Sequence, residues 1–292
     1  MEYEATGSLR EMPRVFAGVA DDVNLHNPLE RMNRLSCGWL GAIFEWEGVI
    51  VADQSALHRQ AWLQLAEEED KSAPLAFMLR RAEGMKNEQV LSEVFCWTRN
   101  PMEMRRLARR KEDIFLEMQG GEVCAESLAG LEVFLKNLKR NGVPCAIGCS
   151  ASANIVETTL PKLNLDEYFE AIITADDVYR GRPDPEAYLF ASQQIGRVPQ
   201  RCVVIGNANS CIEAAHDAGM KCIAVGTKHP MYELSAADLV VRQLNELSLI
   251  NVKQLFSIED WEQAQLEPQL EMETEAVLPS TEVATLDQDF FY

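Results

Sequence analysis

The chain has 292 residues, 47% hydrophobic and 25% charged, a composition typical of a globular protein with one sizeable core or a core that carries an inserted domain. Its net charge of −19 argues against nucleic acids and anionic membranes as partners, because both bind basic surfaces. No apolar run reaches the roughly 20 residues that a membrane-spanning helix needs.

Residues 1–37 are predicted to be an N-terminal extension. They begin MEYEATGSLREMPRVF, which lacks the apolar segment of a secretory signal and has acids too early for a good organellar transit peptide. We therefore expect either a cytoplasmic chain or one that begins after processing in an organelle. Eight cysteines without a CxxC pair indicate a reducing compartment.

The stretch GAIFEWEGVI, residues 41–50, predicts a buried strand that ends in two acids. The apolar run Leu40 to Phe44 is followed by Glu45 and Glu47, one on each side of Trp46. Surface acids that follow a strand are one interpretation of this pattern. Two acids around a buried tryptophan are uncommon, so we favour a site with a chemical role.

Residues 54–124 are predicted to be helical. Apolar residues recur there at spacings of three and four, without strand-like alternation. Four segments carry the pattern: SALHRQAWLQLAEEED, PLAFMLRRAEG, NEQVLSEVFCW and PMEMRRLARRKEDIFLEMQ. A helical block after the first strand of a parallel sheet indicates a cap over the carboxyl edge of that sheet. We interpret the basic run Arg105 to Lys111 as a solvated face that pairs with Glu67 to Glu69.

From residue 125 onward, short apolar runs alternate with longer amphipathic segments. The predicted strands are VPCAIGCS, EAIITADD, RCVVIGN, KCIAVG and LVVRQ, and the predicted helices are ESLAGLEVFLKNLKRNG, NIVETTLPKL, DPEAYLFASQQIG, SCIEAAHDAGM and MYELSAAD. This alternation implies right-handed βαβ units and a parallel sheet covered on both faces. The predicted fold class is α/β with an inserted helical cap.

Polar residues follow the predicted strands at the edge where α/β proteins bind ligands. They are Glu45 and Glu47, Cys149 and Ser150, Asp176 and Asp177, and Asn207.

The order of these motifs resembles the haloacid dehalogenase superfamily, in the subgroup whose helical cap follows the first motif. The similarity rests on acid-x-acid-Gly after the first strand, a hydroxyl residue after the second, a basic residue before Pro-x-Pro in RGRPDP, and AAHDAGM near the end. It covers about Trp39 to Leu247. It implies a Rossmann-like core formed by residues 38–53 and 125–255, with the cap at 54–124.

The resemblance implies phosphoryl transfer from a small phosphorylated metabolite to a carboxylate. Glu45 occupies the position of the nucleophile, and Glu47 that of the general acid and base. Mg²⁺ would be held by Glu45, by the main-chain carbonyl of Glu47 and by Asn207, and it would neutralise phosphate charge.

Further residues are assigned to phosphate and substrate by the same resemblance. Cys149 or Ser150 would bind phosphate together with Arg182. In the cap, Gly84 and Lys86 of GMKN would face the substrate, although an exposed lysine is the alternative for Lys86.

The chain departs from the family at several chemical positions. The family has aspartate where Glu45, Glu47 and Asn207 stand, and lysine where Arg182 stands. An extra methylene moves a carboxylate by more than about 1 Å, a misplacement that can cost on the order of 100-fold in rate. Arg182 could instead form a structural ion pair with either glutamate, and Asn207 could be a turn residue. Two functions follow: a magnesium-dependent phosphomonoesterase, or a catalytically weak or silent protein that binds a phosphometabolite or a protein.

Residues 256–292 are predicted to form an acidic, disordered tail. Ten acids and no basic residue follow Lys253. The last residues, DQDFFY, combine acids with aromatics and could dock on a protein partner, whereas a solvated tail is the plainer interpretation.

Overall fold

The computed structural model describes residues 39–119 and 127–256. The predicted N-terminal extension and the predicted tail beyond residue 256 lie outside these residues. The second boundary that we predicted for the cap, at residue 124, lies in the stretch between them.

Six parallel strands form one sheet, in the order β3-β2-β1-β4-β5-β6. They are β1 Gly41–Phe44, β2 Cys145–Gly148, β3 Ala171–Ile173, β4 Cys202–Gly206, β5 Lys221–Val225 and β6 Leu239–Val241. The order reverses between β1 and β4, and such a switch point is where open α/β sheets bind ligands. The polar residues that follow β1 and β4 therefore meet in a natural binding crevice.

Nine α-helices lie in the described part of the chain. They are α1 Ser55–Glu68, α2 Ala76–Arg81, α3 Asn87–Gln89, α4 Pro101–Met118, α5 Leu131–Arg140, α6 Ala153–Thr159, α7 Glu186–Gln194, α8 Asn209–Asp217 and α9 Leu249–Leu255. α3 continues directly into a π-helical turn at Val90–Val94. Within the described ranges, none of the helices has the length and apolar character required to cross a membrane.

Side chains of the strands alternate between two apolar clusters, one on each face of the sheet. Phe44 of β1 packs on one face with Leu135 of α5. Its neighbour Ile43 packs on the other face with Ala191 of α7. Because both faces are buried, the strands are almost continuously apolar, as parallel strands usually are.

Helices α1 to α4 have an apolar cluster of their own. Trp62 and Leu65 of α1 pack in it with Leu107 and Phe115 of α4, and Ile155 of α6 joins them from the sheet side. The helical prediction for this block is confirmed for its described residues. We propose that residues 54–124 form a cap domain, because a separate core is what a domain requires.

The predicted strands and the predicted α/β class agree with the structure, with two differences in the helices. The predicted helix MYELSAAD is only a 3₁₀ turn at Met231–Leu234. Helix α9 was not predicted, although a reciprocal capping box between Ser248 and Asn251 marks its start.

Candidate active site

A cavity of about 330 Å³ lies between the carboxyl edge of the sheet and helices α1 to α4, which form the proposed cap. Seven of the eight residues predicted for the site line it: Glu45, Glu47, Gly84, Cys149, Ser150, Arg182 and Asn207. Lys86 does not line it, because its ammonium group donates to the main-chain oxygen of Val178 at 2.8 Å. The prediction that Lys86 faces a substrate in this cavity does not fit the described position.

Glu45 is buried at the end of β1, with 1% of its surface exposed. Its Oε1 accepts a hydrogen bond from the Tyr188 hydroxyl and lies 3.2 Å from Nε of Arg182. Its Oε2 is buried and has no hydrogen-bond partner among the described residues. Burial raises the pKa of Glu45, and Arg182 and Tyr188 oppose that rise.

Arg182 connects the first carboxylate to a thiol and to the cap. Its Nη1 donates to Sγ of Cys211 at 2.7 Å, while its Nε faces Glu45. Gly84 of the cap has φ +77°, and a Cβ there would lie 2.9 Å from the Arg182 guanidinium carbon. Glycine is needed at position 84 both for this conformation and for this close approach. The structural ion pair that we considered for Arg182 is thus present with Glu45.

Glu47 faces the opposite way, toward the cap. Nε2 of His58 lies 2.5 Å from Oε1 of Glu47, and Nζ of Lys111 lies 2.6 Å from Nδ1 of His58. Since an ammonium group can only donate, Nδ1 accepts, and the neutral imidazole donates its Nε2 proton to Glu47. The ring of His58 stacks on Phe115 at a centroid distance of 4.0 Å, which fixes its plane.

The chain Lys111–His58–Glu47 shifts the pKa values of all three groups. Burial alone would raise the pKa of Glu47, but His58, Lys111 and Arg182 outweigh it and lower that pKa to about 2, with the charge of His58 contributing once its ring is protonated at acid pH. Burial lowers the pKa of His58, and it lowers the pKa of Lys111 to about 8. Glu47 is therefore ionised at neutral pH and linked to a buried cation by a neutral histidine.

The interpretation of Arg105 to Lys111 as a solvated face was wrong for Lys111. Arg106 and Arg110 do pair with Glu69 and Glu68, at 2.6 and 2.8 Å. Lys111, however, is only 4% exposed. Its spacing from the buried residues Leu107, Ala108, Ile114 and Phe115 places it on the apolar face of α4, and a lysine in that stripe was the available signal.

Sequence reasoning also missed His58, Tyr188 and Cys211. His58 and Tyr188 lie within helical patterns that say nothing about which side chain turns toward the sheet edge. Cys211 was interpreted only as a small buried residue. The distances between these groups arise from how α1, α7 and α8 pack on the sheet, which residue spacing does not encode.

The two candidates after β2 differ in their surroundings. Cys149 is buried, and its thiol donates to the main-chain oxygen of Ile173 at 3.6 Å. Burial raises the pKa of that thiol. Ser150 lines the cavity, is partly exposed, and has a hydroxyl that could donate to an anion.

The turn after Glu47 brings Asn207 into the site. Gly48 has φ +76°, and a Cβ there would lie 1.8 Å from Nδ2 of Asn207. Only glycine allows this approach. Asn207, buried at the end of β4, is thereby held against the acid-x-acid-Gly turn.

The oxygen donors at this edge fit a weakly held Mg²⁺ ion. No group of three His, Cys, Asp or Glu residues in the described ranges forms a metal cluster. The unpartnered Oε2 of Glu45 and the side-chain amide of Asn207 nevertheless offer hard oxygen ligands, and Mg²⁺ commonly keeps several waters and binds substrate phosphate. The carboxylate of Glu47 is engaged by His58, so Glu47 would contribute its main-chain carbonyl.

Comparison with known proteins gives one family and a consistent set of relatives. The model of the haloacid dehalogenase-like hydrolases matches residues 42–225. The chain is 50% identical over 270 residues to "5-amino-6-(5-phospho-D-ribitylamino)uracil phosphatase, chloroplastic" of Arabidopsis thaliana, covering 92% of this chain and 71% of that protein. It is 29% identical to the β-phosphoglucomutase of Bacillus subtilis, over 76% of this chain and 95% of that enzyme.

Solved structures share the fold. The crystal structure of β-phosphoglucomutase from Clostridium difficile aligns with a TM-score of 0.64 at 24% identity, over 74% of this chain and 96% of that one. The phosphate complex of CbbY from Rhodobacter sphaeroides aligns with a TM-score of 0.60 at 20% identity, over 73% and 98%.

Proposed function

This chain belongs to the haloacid dehalogenase-like hydrolase family, and on that premise we propose that it is a magnesium-dependent phosphomonoesterase that hydrolyses 5-amino-6-(5-phospho-D-ribitylamino)uracil. The family match and the 50% identity to a named phosphatase support phosphomonoester hydrolysis. The same relative supports a role in riboflavin biosynthesis and a location in the chloroplast stroma. The phosphatases of this family generally use Mg²⁺.

One observation carries the assignment of the nucleophile. Glu45 has one oxygen held by Tyr188 and Arg182 and a second oxygen without a partner, in a residue that lines the cavity. We therefore assign Oε2, the carboxylate oxygen that no described residue engages, as the oxygen that attacks phosphorus. The attack forms a glutamyl phosphate and breaks the bond from phosphorus to the ester oxygen of the substrate.

Glu47 moves the proton in both half-reactions. In the second, its carboxylate accepts a proton from the water that attacks the glutamyl phosphate, which releases inorganic phosphate and frees Glu45. In the first, Glu47 gives a proton to the departing alcohol oxygen; because the pKa of the free carboxylate is about 2, Glu47 must take up that proton when the anionic phosphate binds beside it. The hydrogen bond from His58 orients the carboxylate for this exchange.

Phosphate oxygens would be bound by Ser150 and Arg182. Between the two predicted candidates, Ser150 fits better than Cys149, whose buried thiol is committed to Ile173. Arg182 retains charge for the phosphate, although it shares that charge with Glu45. Mg²⁺ on Glu45 and Asn207 would neutralise negative charge on the transferring group.

A catalytically silent site is less consistent with the geometry. A protein that merely binds a metabolite has no need of a buried lysine and histidine aligned on the second carboxylate, and burying Lys111 opposes its charged form. The proposed partner is a small phosphorylated metabolite. A protein partner for the tail stays a prediction, since the tail lies outside the described residues.

The test is release of inorganic phosphate from 5-amino-6-(5-phospho-D-ribitylamino)uracil, with Mg²⁺ and with EDTA. We expect release that needs Mg²⁺ and that falls by at least about 1,000-fold in Glu45→Gln, because removal of a nucleophile abolishes covalent catalysis. A panel of sugar phosphates serves as the substrate control. Release that is unchanged in Glu45→Gln, or faster on every sugar phosphate, would contradict the proposal.

A further inference from the structure

Tyr188 reaches Glu45 from one face of the sheet. Tyr188 is among the largest fully buried side chains, and it extends from α7, which packs against β1, β2 and β3. Its hydroxyl donates to Oε1 of Glu45, across the sheet face that carries Ile43. Burial raises the pKa of Tyr188, so the phenol remains a donor.

Two glycines at the ends of the neighbouring strands make room for side chains around Glu45, one for Tyr188 and one for Cys211. Gly148 ends β2, and a Cβ there would lie 3.1 Å from Cδ1 of Tyr188. Gly206 ends β4, and a Cβ there would lie 2.6 Å from Cβ of Cys211. A side chain at position 148 would therefore crowd the Tyr188 ring at the strand end.

Other groups around Glu45 do not supply the same restraint. Arg182 also approaches Oε1, but its Nη1 is engaged by Cys211 and its Nε is not aligned for a hydrogen bond. Glu47 turns to His58, and the Cys149 thiol donates elsewhere. The Tyr188 hydroxyl is thus the aligned side-chain donor to the Glu45 carboxylate among the described residues.

We propose that Tyr188 is a positioning residue for Glu45: its hydroxyl binds one oxygen of the glutamate carboxylate and so presents the other oxygen to phosphorus. This inference rests on the proposed function and extends it. A glutamate exceeds an aspartate by one carbon–carbon bond, about 1.5 Å, and a donor behind the carboxylate compensates for that length. Tyr188 would then be matched to Glu45 and would be of no use to an aspartate.

A double-mutant cycle tests whether Tyr188 acts through Glu45. Its four proteins are wild type, Tyr188→Phe, Glu45→Asp and the double variant, assayed with p-nitrophenyl phosphate and Mg²⁺. We expect Tyr188→Phe to lower kcat roughly 10-fold with KM changed less than about 2-fold, as loss of a hydrogen bond to a charged group predicts. In the Glu45→Asp background the same substitution should change kcat less than about 2-fold, since the shorter carboxylate is out of reach.

Tyr168→Phe is the matched control, because Tyr168 is buried on the opposite face of the sheet. It should leave kcat unchanged. Equal losses from Tyr188→Phe in both backgrounds, or no loss in wild type, would overturn the proposal, since a merely structural tyrosine does not distinguish the two acids.

Thermal unfolding of the same four proteins separates this inference from the proposed function. If wild type hydrolyses no phosphate ester, the proposed function fails, but the cycle can still be read. The fall in Tm caused by Tyr188→Phe should be at least halved in the Glu45→Asp background. An equal fall in both backgrounds would overturn the match between Tyr188 and Glu45.

Discussion

The two glutamates of the acid-x-acid-Gly turn are two residues apart and have opposite surroundings. Glu45 is held from the sheet side by Tyr188 and Arg182, and burial raises its pKa. Glu47 is held from the cap side by His58, with Lys111 behind it, and its pKa is lowered to about 2. One carboxylate thus belongs to the core, and the other depends on the cap.

This difference separates two tasks that one turn has to perform. A nucleophile needs a fixed position, which the packed sheet edge provides through α7. A group that exchanges protons needs an oriented, ionised carboxylate, which the cap provides through a neutral histidine. The cap would therefore take part in the chemistry as well as cover the substrate, and each half of the arrangement can be broken separately.

Removing the proton-exchanging group should have the largest effect. Glu47→Gln keeps an acceptor for His58 but cannot take up a proton, so kcat should fall roughly 100- to 10,000-fold, the usual contribution of general acid–base catalysis. Substrate binding measured by KM should change little. Steady-state phosphate release checks both values, and an unchanged kcat would remove Glu47 from the mechanism.

Removing Lys111, the last group in the chain Lys111–His58–Glu47, should have a smaller effect on kcat. Lys111→Met preserves the length and apolar contacts of the side chain but leaves Nδ1 of His58 without its donor. We expect kcat to fall roughly 10- to 100-fold, because misplacement by about 1 Å can cost 100-fold. Lys136→Met is the control, since Lys136 forms an exposed pair with Glu132 on α5. Equal kcat values for the two variants would mean that the chain from Lys111 to Glu47 has no role.

Acid unfolding should distinguish the two glutamates by sign. The pKa of Glu47 is lowered on folding, so its contribution to stability is present above about pH 4.5 and is lost as pH falls toward 2. Between pH 6 and pH 3, wild type should lose about 2 kcal/mol more unfolding free energy than Glu47→Gln.

The pKa of Glu45 is raised instead, so its ionisation opposes folding. Glu45→Gln should therefore not reduce the loss of unfolding free energy between pH 6 and pH 3. Urea unfolding at several pH values measures both slopes. If wild type and Glu47→Gln lose the same unfolding free energy between pH 6 and pH 3, the assigned environment of Glu47 is contradicted.

Restoring charge at the metal position should have the smallest effect. Asn207→Asp is nearly isosteric and adds a carboxylate oxygen, so half-maximal activity should need roughly 10-fold less Mg²⁺, equivalent to about 1.4 kcal/mol. Gly48 packs against position 207, so the substitution must be shown to leave Tm unchanged. A Mg²⁺ requirement that does not move would exclude residue 207 as a ligand.

The sequence predicted the fold well because the fold depends on local patterns. Short, β-branched apolar runs such as CVVIG, alternating with longer amphipathic segments, indicated buried strands, and the strand ends placed Glu45, Glu47, Ser150 and Asn207 at one edge. The predicted direction of Lys86 and the predicted exposure of Lys111 did not fit, because each depends on how a helix or loop is turned. Tyr188 meets Glu45 across 143 residues of sequence, whereas His58 is only 11 residues from Glu47 but lies on a helix whose orientation residue spacing does not give, so only tertiary packing reveals both partners.

The central claim is that Glu45 forms the covalent intermediate and Glu47 resolves it. Mixing enzyme with substrate and Mg²⁺, quenching in acid and sequencing the peptide that contains residues 41–50 by mass spectrometry tests it directly. With p-nitrophenyl phosphate, whose leaving group needs little help from a proton donor, we predict one phosphoryl group on Glu45 in wild type, a larger phosphorylated fraction in Glu47→Gln, where water is not activated, and none in Glu45→Gln. A phosphoryl group on any other residue, or its persistence in Glu45→Gln, would contradict this account.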